Sequence, residues 1–206
     1  PRVQNSIPLH GFDNFTPAYQ FIKALLRVEP DLPIDKEHLM IISPDEGAMA
    51  RAVYLSNILG VDMGMFYKRR DYSKVVNGKN PIVAHEFLGS DITGKNVIIV
   101  DDMISSGESM LDVAKQMKDR GAARVIVCTT FGLFTDGFAA FDEYYEKGYI
   151  DRVLTTNLTY LPQEALDKPY FIVADMSKIL AIIIESLNHD IGFSNVLNPT
   201  DKIHKL

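Results

Sequence analysis

The sequence predicts an α/β protein with three layers, in which a mainly parallel sheet is flanked by helices on both faces. Short apolar runs alternate along the chain with longer amphipathic segments. The apolar runs lack polar alternation, which is typical of strands that are covered on both faces. The regular alternation of strand and helix patterns indicates βαβ units, so we expect a single, largely parallel sheet.

The individual elements follow from the same patterns. The expected strands, in chain order, are residues 39–42, 63–67, 97–100, 125–129, 152–155 and 170–173. The expected helices are residues 16–28, 47–59, 108–120, 137–147 and 177–187. In the third helix, Met110, Ala114 and Met117 recur at helical spacing and form one core-facing stripe. Residues 69–95 lack clear periodicity, and we expect them to form a mobile functional loop or a disordered insertion.

Composition excludes several classes of protein. The formal net charge of −6 argues against a broad surface for nucleic acid or for an anionic membrane. No apolar run is long enough to span a bilayer, and no signal peptide is apparent, so we expect a cytoplasmic protein. The single cysteine, Cys128, cannot form an internal disulfide. Because the chain begins at Pro1, we expect that a natural N-terminal region is missing from it.

The stretch VIIVDDMISSGESM, residues 97–110, contains the strongest candidate site. It places a polar loop at the C-terminal end of a central parallel strand, where open α/β sheets bind ligands. The loop leads directly into a helix, so the backbone N–H groups from Ser106 to Ser109 can converge on a phosphate. The hydroxyl of Ser105 adds a further donor, and Gly107 permits a close approach of the backbone.

The two aspartates before this loop, Asp101 and Asp102, would repel the same anion. Their partners are therefore expected to be the vicinal hydroxyls of a sugar or a Mg²⁺ ion. Loop and carboxylates together predict a site for a sugar phosphate. The alternative interpretation is a capped helix start with two solvated aspartates, although capping needs only one such residue.

These residues resemble the phosphoribosyl-diphosphate (PRPP) binding motif of the type I phosphoribosyltransferase fold. Three further segments resemble the ribose-phosphate pyrophosphokinases, which make PRPP: IISPDEGAMARA at 41–52, MFYKRR at 65–70, and residues 129–161 with TTFGLFTDG and IDRVLTTNLTYLP. The tail IGFSNVLNP also lies where that family has a short ending with a serine. The order and spacing agree from about Ile41 to the C-terminus.

The resemblance implies transfer of a diphosphoryl group from ATP to ribose 5-phosphate, giving PRPP and AMP, with Mg²⁺ as the cofactor. Asp45 is then the metal ligand, and Lys68 and Arg70 are the catalytic cations, with Arg69 a weaker candidate. The implied binding residues for ribose 5-phosphate are Asp101, Asp102, Ser105, Ser106, Gly107, Glu108 and Ser109. This sequence departs from the family's pattern at Ser105, where many members have Asp, and at Glu108, where Gly is usual. The segment after Arg70 is also longer than in the family.

The resemblance further implies that residues 1–206 are a C-terminal domain whose N-terminal companion is absent. Residues 1–35 would be an inter-domain segment with the first helix, and residues 36–206 the core. The intact enzyme would be a homo-oligomer with no nucleic-acid or membrane partner. Two alternatives stay open: a nucleobase phosphoribosyltransferase that consumes PRPP, and a non-catalytic, synthetase-like regulatory subunit. The first needs a hood over the base, for which only residues 69–95 are available.

Overall fold

A computed structural model describes residues 14–70, 73, 82–192 and 199–206, with the backbone alone at 68–70 and 82–85. Its seven strands are β1 (Leu39–Ser43), β2 (Asp62–Arg70), β3 (Ile82–Leu88), β4 (Asn96–Ile104), β5 (Arg124–Gly132), β6 (Arg152–Thr156) and β7 (Phe171–Ala174). The described helices are α1 (Ala18–Val28), α2 (Met49–Leu59), α3 (Glu108–Asp119), α4 (Ala139–Glu146), α5 (Gln163–Leu166), α6 (Ser177–Asn188) and α7 (Thr200–Ile203).

One sheet with the strand order β3-β2-β1-β4-β5-β6-β7 contains all seven strands. Every neighbouring pair is parallel except β2 and β3, which are antiparallel. Strand β4 lies in the middle, and its first five residues, Asn96 to Val100, are buried, as an apolar strand covered on both faces should be. The predicted fold class, a mainly parallel sheet flanked by helices, is confirmed.

Two apolar cores lie on opposite faces of the sheet. On one face, α3 and α4 contribute Met117 and Phe141, which pack with Ile99 of β4. On the other face, α1 and α2 contribute Leu25 and Leu55. The predicted stripe on α3 is confirmed, since its residues Met110, Ala114 and Met117 are all buried. These two cores hold the sheet as the middle of three layers.

The expectation that residues 69–95 form one long loop is wrong. Strand β3 occupies part of that segment and pairs with β2, with a register irregularity between Arg69 and Arg70. The strand lies at the edge of the sheet, where Glu86 and Leu88 are exposed and Phe87 packs against Phe66 at a centroid distance of 5.4 Å. An edge strand has no continuous apolar run, because much of its surface contacts solvent.

Strand β4 is also longer than predicted and continues to Ile104, because its register with β5 extends past the aspartates to Met103↔Phe131 and Ile104↔Gly132. The short helices α5 and α7 were not predicted. The predicted tail motif falls partly on residues 193–198, and the inter-domain segment largely on residues 1–13, both outside the described residues. Within the described part of the chain, no helix is long and apolar enough to cross a membrane.

Candidate functional site

Two adjacent carboxylates, Asp101 and Asp102, lie near the C-terminal end of the central strand β4. The backbone N–H of Asp102 donates a hydrogen bond of 2.7 Å to Oδ1 of Asp101, which links the two residues locally. The side chains are 25% and 23% exposed, so both are accessible although mostly buried. The pair therefore stands at the edge of the sheet where α/β proteins bind ligands.

Arg51 contacts both of these carboxylates. Its Nη1 lies 3.5 Å from Oδ1 of Asp101, and its Nη2 lies 3.2 Å from Oδ2 of Asp102. A planar guanidinium can span two acceptors in this way, whereas a lysine ammonium is a point charge. Arg51 lies in the segment 41–52, and no role for it was predicted from the sequence. The signal was its place in the first turn of a helix that follows a parallel strand, because such a turn lies at the ligand-binding edge.

Asp101 has an unusual electrostatic environment. Burial is the main cause that raises the pKa of Asp101 to about 6, and a side-chain hydrogen bond with Asp102 and the negative charges of Asp102 and Asp45 add to the shift. The hydrogen bond from the backbone N–H of Asp102 acts in the opposite direction and lowers that pKa. Desolvation and like charges thus outweigh the hydrogen bond, even with Arg51 beside the pair. Carboxylates with raised pKa values are frequent at functional sites.

Asp45 lies in the turn between β1 and α2. Its Oδ1 accepts hydrogen bonds from the backbone N–H groups of Gly47 at 2.8 Å and Ala48 at 3.2 Å. The hydroxyl of Ser43 donates to the backbone carbonyl of Asp45 at 2.7 Å. These bonds satisfy donors ahead of α2 and fix the start of that helix. Asp45 therefore helps to determine where Arg51, in the first turn of α2, is placed.

The loop from Ser105 to Ser109 leads from β4 into α3. Gly107 is buried and has a φ of +91°, and its carbonyl accepts a hydrogen bond from Leu111 N–H at 2.9 Å, which starts the helix. Any Cβ at Gly107 would lie 2.5 Å from Cε2 of Phe141. Glycine is therefore required here both by the backbone conformation and by the close approach of an aromatic ring.

The remaining loop residues are largely accessible to solvent. Ser105, Glu108 and Ser109 are exposed, and Ser106 is half-buried. The backbone N–H of Glu108 lies 3.4 Å from the Ser106 hydroxyl, a long hydrogen bond that an anion could replace. The carbonyl of Ser105 accepts a hydrogen bond from Thr135 N–H at 3.0 Å, so the loop after β5 supports this loop. The N-terminus of α3 thus presents backbone donors at the same edge of the sheet as the carboxylates.

Lys68 and Arg70 lie at the C-terminal end of β2. Because β2 runs parallel to β1, and β1 runs parallel to β4, this end lies at the same edge of the sheet as the aspartates. The structure describes only the backbone of these two residues, and the segment that follows, apart from residue 73, lies outside the described residues up to 81. Topology therefore brings Lys68 and Arg70 to the correct edge without specifying their side-chain contacts.

Whether the site could hold a divalent cation depends on its oxygen ligands. Among the described residues, no group of three or more His, Cys, Asp or Glu side chains could hold a metal ion. Mg²⁺ commonly binds to one or two carboxylates and completes its coordination with water and substrate phosphates. The carboxylates of Asp45, Asp101 and Asp102 are of the right chemical type for that mode. They fit a cation that binds together with a phosphorylated substrate.

A cavity of about 670 Å³ opens beside the carboxylates, on the side of α1 and α2. Apolar and aromatic side chains form much of its wall, and Arg51, Asp101 and Asp102 contribute the charges. Such a mixture is typical of pockets for small molecules. A second cavity of about 680 Å³ between α1 and α6 contains neither aspartate. The cavity at the carboxylates is therefore the candidate ligand site.

Comparison with known proteins identifies a family. Residues 18–156 match the family model described as "Phosphoribosyl transferase domain". The ribose-phosphate pyrophosphokinase of Chromobacterium violaceum is 30% identical over 162 residues, which cover 79% of this chain and 46% of that protein. The enzyme of the same name from Wolinella succinogenes is 34% identical over 135 residues, which cover 64% of this chain and 40% of that protein. The chain thus spans about half the length of the curated relatives it matches.

A solved structure agrees on the fold. The phosphoribosylpyrophosphate synthetase from Mycobacterium smegmatis has a TM-score of 0.65 and covers 82% of this chain, which in turn covers 51% of that structure. The two sequences are 24% identical, so this likeness supports the architecture alone. The sequence resemblance to ribose-phosphate pyrophosphokinases is confirmed by the curated relatives.

Proposed function

This chain belongs to the phosphoribosyl transferase domain family, and from that premise we propose that it is the C-terminal domain of a ribose-phosphate pyrophosphokinase. Residues 1–35 would join it to an N-terminal domain, and residues 36–206 would be its core. Its match to about half the length of enzymes with that name supports this division. Assembly of the two-domain protein into a homo-oligomer is part of the same proposal.

The proposed reaction transfers the diphosphoryl group of ATP to ribose 5-phosphate. The anomeric hydroxyl oxygen forms a bond to the β-phosphorus, the bond between that phosphorus and the α,β-bridging oxygen breaks, and AMP leaves. The hydroxyl proton is lost, and the products are PRPP and AMP. The observation that carries this proposal is the acidic pair on β4 next to a backbone-donor loop at the start of α3, because ribose 5-phosphate combines hydroxyls with a phosphate.

Within this proposal, the loop from Ser105 to Ser109 binds the 5-phosphate through backbone N–H groups and serine hydroxyls. Gly107 keeps those donors in place, since its conformation and its contact with Phe141 admit no side chain. Glu108 is exposed at the first position of α3 and contributes its backbone N–H, while its carboxylate stays in solvent. The loop therefore holds one end of the sugar.

Asp101 and Asp102 accept hydrogen bonds from the ribose hydroxyls, which orients the sugar for attack by its anomeric oxygen. Lys68 and Arg70 meet the negative charge that spreads over the transferring diphosphoryl group, which lowers the barrier electrostatically. Asp45 is the proposed protein ligand for Mg²⁺. When bound, Mg²⁺ neutralises phosphate charge during the transfer.

The test is a two-part assay. The 206-residue chain should bind ribose 5-phosphate in calorimetry, and a two-domain protein that contains it should release AMP from ATP and ribose 5-phosphate. Absence of both would contradict the proposal. Pyrophosphate release from PRPP and a nucleobase would instead identify a nucleobase phosphoribosyltransferase. An inactive two-domain protein that associates stably with an active synthetase would identify a regulatory subunit.

A further inference from the structure

Arg51 bridges the two carboxylates of the acidic pair, and the proposed mechanism does not use it. We propose that Arg51 is a positioning residue that holds Asp101 and Asp102 in the orientation that receives the ribose hydroxyls. The inference rests on the proposed function, because it assigns the sugar to that pair. Arg51 would act through the carboxylates and would not contact the reacting atoms.

Arg51 contacts both carboxylates at once. Arg51 engages Oδ1 of Asp101 at 3.5 Å and Oδ2 of Asp102 at 3.2 Å. These are the oxygens of the two carboxylates that lie nearest to the guanidinium. Each aspartate side chain is about a quarter exposed, so its carboxylate can still accept a hydrogen bond from a sugar hydroxyl. The single guanidinium of Arg51 therefore orients both carboxylates.

Electrostatics explains why a cation is needed at this point. The two adjacent carboxylates are each about three-quarters buried, and Asp45 adds a third negative charge close by. Like charges at such short range repel each other and turn apart where their side chains can rotate. A guanidinium in contact with both opposes that rotation, because its planar nitrogens bind the two carboxylates at once.

The fold fixes the position of Arg51 without help from a ligand. Helix α2 begins after the turn that Asp45 closes with its hydrogen bonds to Gly47 and Ala48. Farther along the helix, Ala52 and Leu55 are buried in the core and anchor α2 to the sheet. The first turn of α2 therefore stands at a defined distance from β4 before any substrate binds. Support of this kind is what a precisely oriented binding pair requires.

The experiment compares two ligands by NMR titration of the 206-residue chain: ribose 5-phosphate, which needs both carboxylates and loop, and inorganic phosphate, which needs only the loop. For Arg51→Gln we expect the dissociation constant of ribose 5-phosphate to rise by about tenfold or more, while that of phosphate changes by less than about twofold. Arg51→Lys should recover only part of the affinity, because an ammonium cannot hold two acceptors as a fork does.

Arg124→Gln is the matched control. Arg124 also pairs with a carboxylate, Glu29, at 2.7 Å and has a similar exposure, but it lies at the start of β5, away from the aspartates. This variant should bind both ligands as the unmodified chain does. Equal or tighter binding of ribose 5-phosphate by Arg51→Gln would overturn the role of Arg51 alone. If the unmodified chain binds phosphate but not ribose 5-phosphate, the proposed function fails and this inference fails with it.

Discussion

Gly107 offers the sharpest test of how the loop is built, because two independent penalties act on a side chain there. Its φ of +91° is unfavourable for any other residue, and an added Cβ would lie 2.5 Å from Cε2 of Phe141. Phe141 is fully buried and packs edge-on against Phe134 at 5.3 Å, so it has little room to move. We expect Gly107→Ala to lower the free energy of unfolding by about 2 to 5 kcal/mol, the sum of left-handed backbone strain and overpacking.

The assay is urea denaturation followed by circular dichroism, with Gly60→Ala as the control. Gly60 has a φ of +67° but no heavy atom within 4 Å of an added Cβ, so its variant should show only the backbone penalty of about 1 to 2 kcal/mol. Replacing Phe141 with Leu in the Gly107→Ala background should recover part of the difference. Equal losses for Gly107→Ala and Gly60→Ala would refute the claim that the aromatic ring excludes a side chain.

Four further predictions concern charge and catalysis. Because burial and like charges raise the pKa of Asp101 to about 6, its ionised form destabilises the fold, so Asp101→Asn should stabilise the chain above that pH and lose this advantage as the pH falls towards about 4. Asp91→Asn should instead destabilise the chain at neutral pH, because hydrogen bonds from Thr93 lower the pKa of Asp91 and so stabilise its ionised form in the fold. Urea denaturation at several pH values checks both variants, and the same pH profile of stability for the two would contradict the argument. In a two-domain protein, Lys68→Ala should lower kcat by roughly 10² or more with a smaller change in KM for ribose 5-phosphate, and steady-state kinetics with an unchanged kcat would remove Lys68 from catalysis. The 206-residue chain alone should bind ribose 5-phosphate yet release no AMP from ATP in a coupled assay. The reason is that the positioning of both reactants lowers the activation barrier by about 7 to 11 kcal/mol, and this chain would position only one of them. Turnover near that of the two-domain protein would mean that these residues build the ATP site.

The parts of the fold that were predictable are those whose burial is recorded locally in the sequence. Strand β1 is buried along its whole length and is apolar almost throughout, so its pattern was unambiguous. Among the described strands, β3 pairs with β2 alone, and the polar residues His85 and Glu86 interrupt its apolar pattern in the sequence. Its existence depends on pairing with a neighbour, which a local pattern does not contain. The same reason explains why β4 continues past its apolar run, since β5 supplies the partner for Met103 and Ile104.

The candidate site also has parts that the sequence could predict and parts that it could not. Parallel strands bring their C-terminal ends to one edge, so a parallel sheet is enough to place the turn of Asp45, the end of β2 at Lys68 and the acidic pair of β4 together. Topology does not specify which cation contacts which carboxylate. The fork of Arg51 depends on where the first turn of α2 lies, and that position depends in turn on the hydrogen bonds of Asp45 and on buried side chains farther along the helix. The raised pKa of Asp101 likewise depends on burial by distant residues. Residue type and strand order could therefore predict which groups meet at this edge, whereas their pairing and protonation depend on packing that only the folded chain defines.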